Sequence, residues 1–153
     1  MDKKIKFLSL FFYLLISLVV AVKAEFSIGV VLGEPTGISL KISPSKNLAH
    51  DVGLNFNTSD NYLYLSWDVL KYDYSKITSK ELSGSFPIFY GLGIRAINIG
   101  DELHLALRFV IGLEYIFSDI PFNIFVKLAP TINVVPSTKA SIAPAIGIRY
   151  MFR

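Results

Sequence analysis

The chain has 153 residues, 52% hydrophobic and 18% charged, with fifteen Lys or Arg against twelve Asp or Glu and no Cys. That length suits one domain rather than two, and the lack of cysteine excludes disulfide staples and a lipid-modified cysteine. Residues 1–24 hold four of the basic residues (Lys3, Lys4, Lys6, Lys23) and one acidic residue (Asp2), so the rest balances at eleven of each sign; the pI of about 9.1 therefore gives no basic stripe for nucleic acid.

The first predicted element is an export signal. Lys3, Lys4 and Lys6 precede an apolar run from Phe7 to Val22, and Val22-Lys23-Ala24 places small residues where signal peptidase reads them. Cleavage is expected after Ala24, leaving residues 25–153 as the mature domain. The run holds 16 residues, short of the ~18 to 20 that a spanning helix needs.

Beyond residue 24 the pattern has period two. Turn signals recur as EPTG at 34–37, SPSKN at 43–47, NTSDN at 57–61, NIGDE at 98–102, SDIP at 118–121 and VPSTK at 135–139. Between them the bulky rows run Phe26, Ile28, Val30, Leu32; then Ile38, Leu40, Ile42; then Val52, Leu54, Phe56; then Leu63, Leu65, Trp67, Val69. After the longest connection they continue as Phe86, Ile88, Tyr90, Leu92, Ile94; then Leu103 to Tyr115 by twos; then Phe122, Ile124, Val126, Leu128; and last Ile146, Ile148, Tyr150, Phe152. These are eight strands of roughly ten residues, the length a tilted strand needs to cross a bilayer, and eight is the smallest even number that closes a membrane barrel.

The alternate row decides which face is inside. It mixes small residues (Ser27, Gly29, Ser39, Gly53, Ser66, Gly93, Gly112, Gly147) with full charges: Lys41, Asp51, Asp68, Arg95, Arg108, Glu114, Lys127 and Arg149. A secreted sandwich or lipocalin-like barrel would show the same alternation with the bulky row buried. A narrow curved interior calls for this mixture of small and charged groups, and aromatics near the strand ends (Tyr62, Tyr64, Tyr72, Tyr74, Phe89, Tyr115, Tyr150 and Phe152 among them) fit interface girdles. In lipid every backbone group must pair within the protein, so the sheet must close. The expected fold is an all-β, eight-stranded, antiparallel, up-and-down transmembrane β-barrel with a polar, filled interior. Five cations and three anions would form its lumen charge network, the two surplus cations meeting water, tyrosine hydroxyls or loop carboxylates.

Three stretches, GVVLGEPTGISLK (29–41), FPIFYGLGIR (86–95) and FNIFVKLAPTINVVPSTKASIAPAIGIRYMF (122–152), resemble a family of small, functionally uncharacterised bacterial outer-membrane β-barrels of spirochaetes and deep-branching thermophiles, similar in architecture to the OmpA-type transmembrane domain. The resemblance brings no catalytic motif. In GEPTG, Pro35 would preset a turn position, with Gly33 and Gly37 giving backbone freedom on either side. The last strand resembles the carboxy-terminal signal read by barrel-assembly machinery, with Tyr150 and Phe152 as its aromatics, although Arg153 makes the final aromatic penultimate.

With both termini on the periplasmic side, the outer loops would be 33–37, 57–61, 97–102 and 134–141, and the longest connection, 71–84, would be periplasmic. That reverses the usual asymmetry: either the strand count before residue 71 is off by one, or long outer loops are lacking. Chemistry is sparse. His50 adjoins Asp51, His104 faces inward, and no metal cluster, phosphate loop or nucleophile elbow accompanies them. The expected function is non-enzymatic, structural or surface-interacting, in the bacterial outer membrane. Expected partners are outer-membrane lipid, the barrel-assembly machinery and an extracellular or host ligand; the protein would be a monomer and need no cofactor. The alternatives are a narrow channel and a lipid-modifying enzyme using His50 or His104.

Overall fold

Strong alternation with turn residues between segments leaves the backbone one way to pair its polar groups, as neighbouring antiparallel strands. The computed structural model describes residues 5–6, 9–14, 24–34, 36–57 and 61–152. Its strands are β1 (Glu25–Gly33), β2 (Gly37–Ser45), β3 (Leu48–Asn57), β4 (Tyr62–Asp73), β5 (Ile88–Ile99), β6 (Glu102–Ile116), β7 (Phe122–Val135) and β8 (Lys139–Phe152). Each pairs with the next and β8 returns to β1, closing an up-and-down barrel. Closure removes both sheet edges.

The register fixes the tilt. Stepping across paired residues from Ser27 leads through Lys41, Asp51, Asp68, Gly93, Arg108 and Thr131 to Ser141. Because Phe152 faces Phe26 and Ala145 faces Gly33, Ser141 stands level with position 37 on an extension of β1, ten residues beyond the start. Strands so staggered incline by about 35 to 45° to the barrel axis.

Interior and exterior rows fall as the alternation predicts. Lys41, Asp51, Asp68, Arg95, Arg108, Glu114, Lys127 and Arg149 are all buried, while Leu32, Leu92, Leu107, Ile142 and Ile146 are 56 to 66% exposed. Ile42 and Val52 belong to the outward row yet are buried. They flank the part of the wall where Phe11, in the helical residues 9–14, meets Trp67 edge-on at 6.1 Å. No helix among the described residues is long and apolar enough to cross a membrane. Most of the expected export signal, including residues 15–23, lies outside the described residues, as does Pro35 of the first turn.

Some expectations change. Tyr72 and Phe89 are not girdle residues: they point into the barrel and are buried, as is Tyr64, whose place beside Ser66 and Asp68 on the inward row the alternation gives. Phe89 faces Gly112 and Phe125 faces Gly147 across the ladder, and a Cβ at either glycine would come within 2.3 or 2.4 Å of the ring. The interior glycines thus make room for two phenyl rings as well as for charges. An aromatic arc does form on the outside at one end, through Phe26, Phe152, Tyr150 and Phe122, with Phe86, Tyr115 and Phe117 as a second cluster. In the first turn Gly33 has φ +120° and needs glycine's freedom, whereas Gly37 is needed because an added Cβ would lie 2.3 Å from the Leu54 carbonyl oxygen. Phe86 precedes β5, which begins at Ile88.

The fourth strand, β4, runs through residue 71 to Asp73, so the strand count holds; the long connection, expected at 71–84, is 74–87 and sits at the end that carries both barrel termini. At the opposite end the gaps between strands are only two to four residues.

Candidate functional site

The interior charges form one continuous chain of contacts. Lys41 Nζ lies 2.7 Å from Glu114 Oε2, and Glu114 Oε1 lies 3.2 Å from Arg149 Nη1. Arg149 Nη2 reaches Asp51 Oδ2 at 2.9 Å, Asp51 holds Lys127 Nζ at 2.8 Å, and Lys127 is 3.8 Å from Asp68 Oδ2. Asp68 Oδ1 ends the chain 3.1 Å from Arg108 Nε. Ser39 couples two members, accepting from Arg149 Nε at 2.9 Å and donating to Asp51 Oδ1 at 3.2 Å.

The register explains why these groups meet. Lys41, Asp51, Asp68 and Arg108 lie on one paired row, while Glu114, Lys127 and Arg149 reach them across the lumen from β6, β7 and β8. Seven of the eight predicted residues are therefore joined, and β2, β3, β4, β6, β7 and β8 are tied through the middle of the barrel. Arg95 stands apart. It lies two residues beyond Gly93, the row's β5 member, and donates from Nη2 to Asn133 Oδ1 at 2.6 Å. Arg108, which shares Asp68 with Lys127, also donates from Nη1 to the Tyr64 hydroxyl. A tyrosine hydroxyl was expected here and Tyr64 supplies it; Asn133 was missed as a partner, since it carries no charge and only the register places it there.

Rings fill the space between the charges. The Arg149 guanidinium sits 3.8 Å from the Phe125 ring centre, and Lys41 Nζ is 4.2 Å from that of Tyr72. The side chains of Asp68, Arg108 and Glu114 have no exposed surface, so the middle of the lumen is packed. Hydrogen-bonding capacity is left over at Asp68, Ser66 and part of Arg108, which marks this as a place polar enough for ordered water.

The two histidines are not brought together. His50 lies on the outward row of β3 and accepts at Nδ1 from Trp67 Nε1 at 3.1 Å. His104 is near the start of β6, at the other end of the barrel, 3.7 Å from Glu102. The described residues contain no group of three His, Cys, Asp or Glu able to hold a metal. Tyr150 and Phe152 are exposed neighbours on β8, their rings 5.0 Å apart. Comparison with protein-family models, with curated proteins and with solved structures finds no match for the chain.

Proposed function

We propose that the chain is an exported, integral outer-membrane β-barrel with a non-enzymatic role in envelope structure or in contact with molecules outside the cell, of the family type that GEPTG and the carboxy-terminal GIRY segment resemble. One observation carries this reading: the exterior is an apolar wall to which every strand contributes. Along the outward rows of the eight strands the only Asp, Glu, Lys or Arg are Lys71 and Asp73, both at the end of β4. Soluble monomers rarely expose a contiguous apolar patch above a few hundred Å², whereas a bilayer demands such a belt. The buried charges supply the complementary half, since a lumen hidden from lipid is where they are tolerated.

In this orientation the periplasmic end carries both termini, the 74–87 connection and the aromatic arc. Tyr150 and Phe152 present the aromatics that assembly machinery would read as β8 closes on β1. The packed midsection favours a filled barrel over a narrow channel.

Two measurements test the reading. Refolded in detergent, the mature protein should give a β-rich circular dichroism spectrum and migrate differently on a gel before and after boiling; a helical spectrum sinks the proposal. In vesicles, a lipid-phase quencher should reach a spin label at Leu107 and miss one at His104, three residues away on the inward row. Quenching of the Leu107 label from water alone would remove the membrane from the account. Planar-bilayer recordings should show no conductance steps, and discrete steps would instead support the channel.

A further inference from the structure

At the end that carries the termini, the lumen widens into a cavity of about 450 Å³. Lys41, Ser27 and Tyr72 form its inner wall, Lys46 lies nearer the mouth, and Ile116 and Met151 give it an apolar side. Two lysine–tyrosine pairs line it together: Lys41 Nζ stands 4.2 Å from the Tyr72 ring centre and Lys46 Nζ 4.7 Å from that of Tyr74. The two rings are 6.4 Å apart at 32°.

The binding capacity here is unfilled. Tyr72 is 3% exposed, and its hydroxyl has no hydrogen-bond partner among the described residues; a buried donor left so is costly unless something completes it. Lys41 donates to Glu114, and an ammonium has three donors. Lys46 is exposed and lies over the Tyr74 ring, with no ion pair among the described residues. Burial, with Glu114 and Glu25 adding, pushes the Tyr74 hydroxyl up to about 12, so it stays neutral beside the lysine.

We infer that this cavity binds a small organic anion, its carboxylate received by Lys46 and by the Tyr72 hydroxyl beside Lys41, its short apolar tail laid against Ile116 and Met151. Glu114 balances Lys41, which leaves Lys46 as the cation to be met. Glu25 stands at the mouth, exposed, where its carboxylate opposes an anion. Cleavage after Ala24, as proposed for export, gives Glu25 an α-ammonium that offsets its own charge. The inference needs the closed barrel and not the surrounding lipid, so its failure and that of the membrane proposal are separable.

Met151 provides the reporter, because it is the only methionine in residues 25–153. With [methyl-¹³C]methionine in the detergent-solubilised chain, butyrate should shift the Met151 methyl resonance saturably. At equal concentrations n-butylamine and n-butanol should not. Tyr72→Phe and Lys46→Gln should each raise the butyrate midpoint about tenfold, the effect of losing a hydrogen bond to a charged group, with the gel shift of the folded barrel retained. No saturable shift, an equal response to butanol, or unchanged titrations in both variants would overturn the site.

Discussion

Glu114→Ala should lower the stability of the folded barrel by about 3 to 5 kcal/mol, the cost of removing one partner from a buried ion pair. Glu114 is the most consequential carboxylate in the chain of contacts because it serves two cations that differ in their alternatives. Arg149 keeps Asp51 at 2.9 Å when Glu114 is gone, but Lys41 has no other carboxylate contact among the described residues and is left against the Tyr72 ring. Asp68→Ala should cost less, since Arg108 retains the Tyr64 hydroxyl and Lys127 retains Asp51. Equilibrium urea unfolding in detergent or vesicles measures both. A loss below about 1 kcal/mol for Glu114→Ala, the range of exposed pairs, would mean that the interior is open to water and the charges are screened. Exchanging Lys41 and Glu114 together for apolar residues of similar volume should recover most of the loss, because a buried pair contributes little beyond its apolar equivalent.

Leu107→Arg should destabilise the protein in a bilayer by about 2 to 4 kcal/mol if the site lies near the midplane, and less toward either interface. The side chain is 57% exposed on the outward row of β6, and this placement makes the experiment decisive. A barrel surrounded by water would accept arginine at an exposed position within about 0.5 kcal/mol. Lipid would not. Measured in vesicles, a change near zero removes the case for an embedded wall at this depth, whatever the refolded protein does in detergent.

The alternation of Leu103 to Tyr115 with His104 to Glu114 settles β6 as a strand and assigns its two faces, because side chains in an extended chain must alternate. The same local rule identified the other seven strands and picked out all eight buried charges. Their pairing is another matter. Lys41 and Glu114 are 73 residues apart, and nothing local relates them; a stagger of ten residues around eight strands brings them to one level. That stagger also leaves Arg95 two residues beyond Gly93, the row's β5 member, and gives it Asn133 instead. Phe89 and Tyr72 were misplaced because an aromatic near a strand end suits an interface girdle as well as a lumen, and only the pairing of Phe89 with Gly112 reveals the space that takes the ring inward. Backbone periodicity is enough to place the strands, assign their two faces and give the sign of every interior charge. Register and the partners of each charge are not local: they depend on how far each strand slides past the next before the barrel shuts.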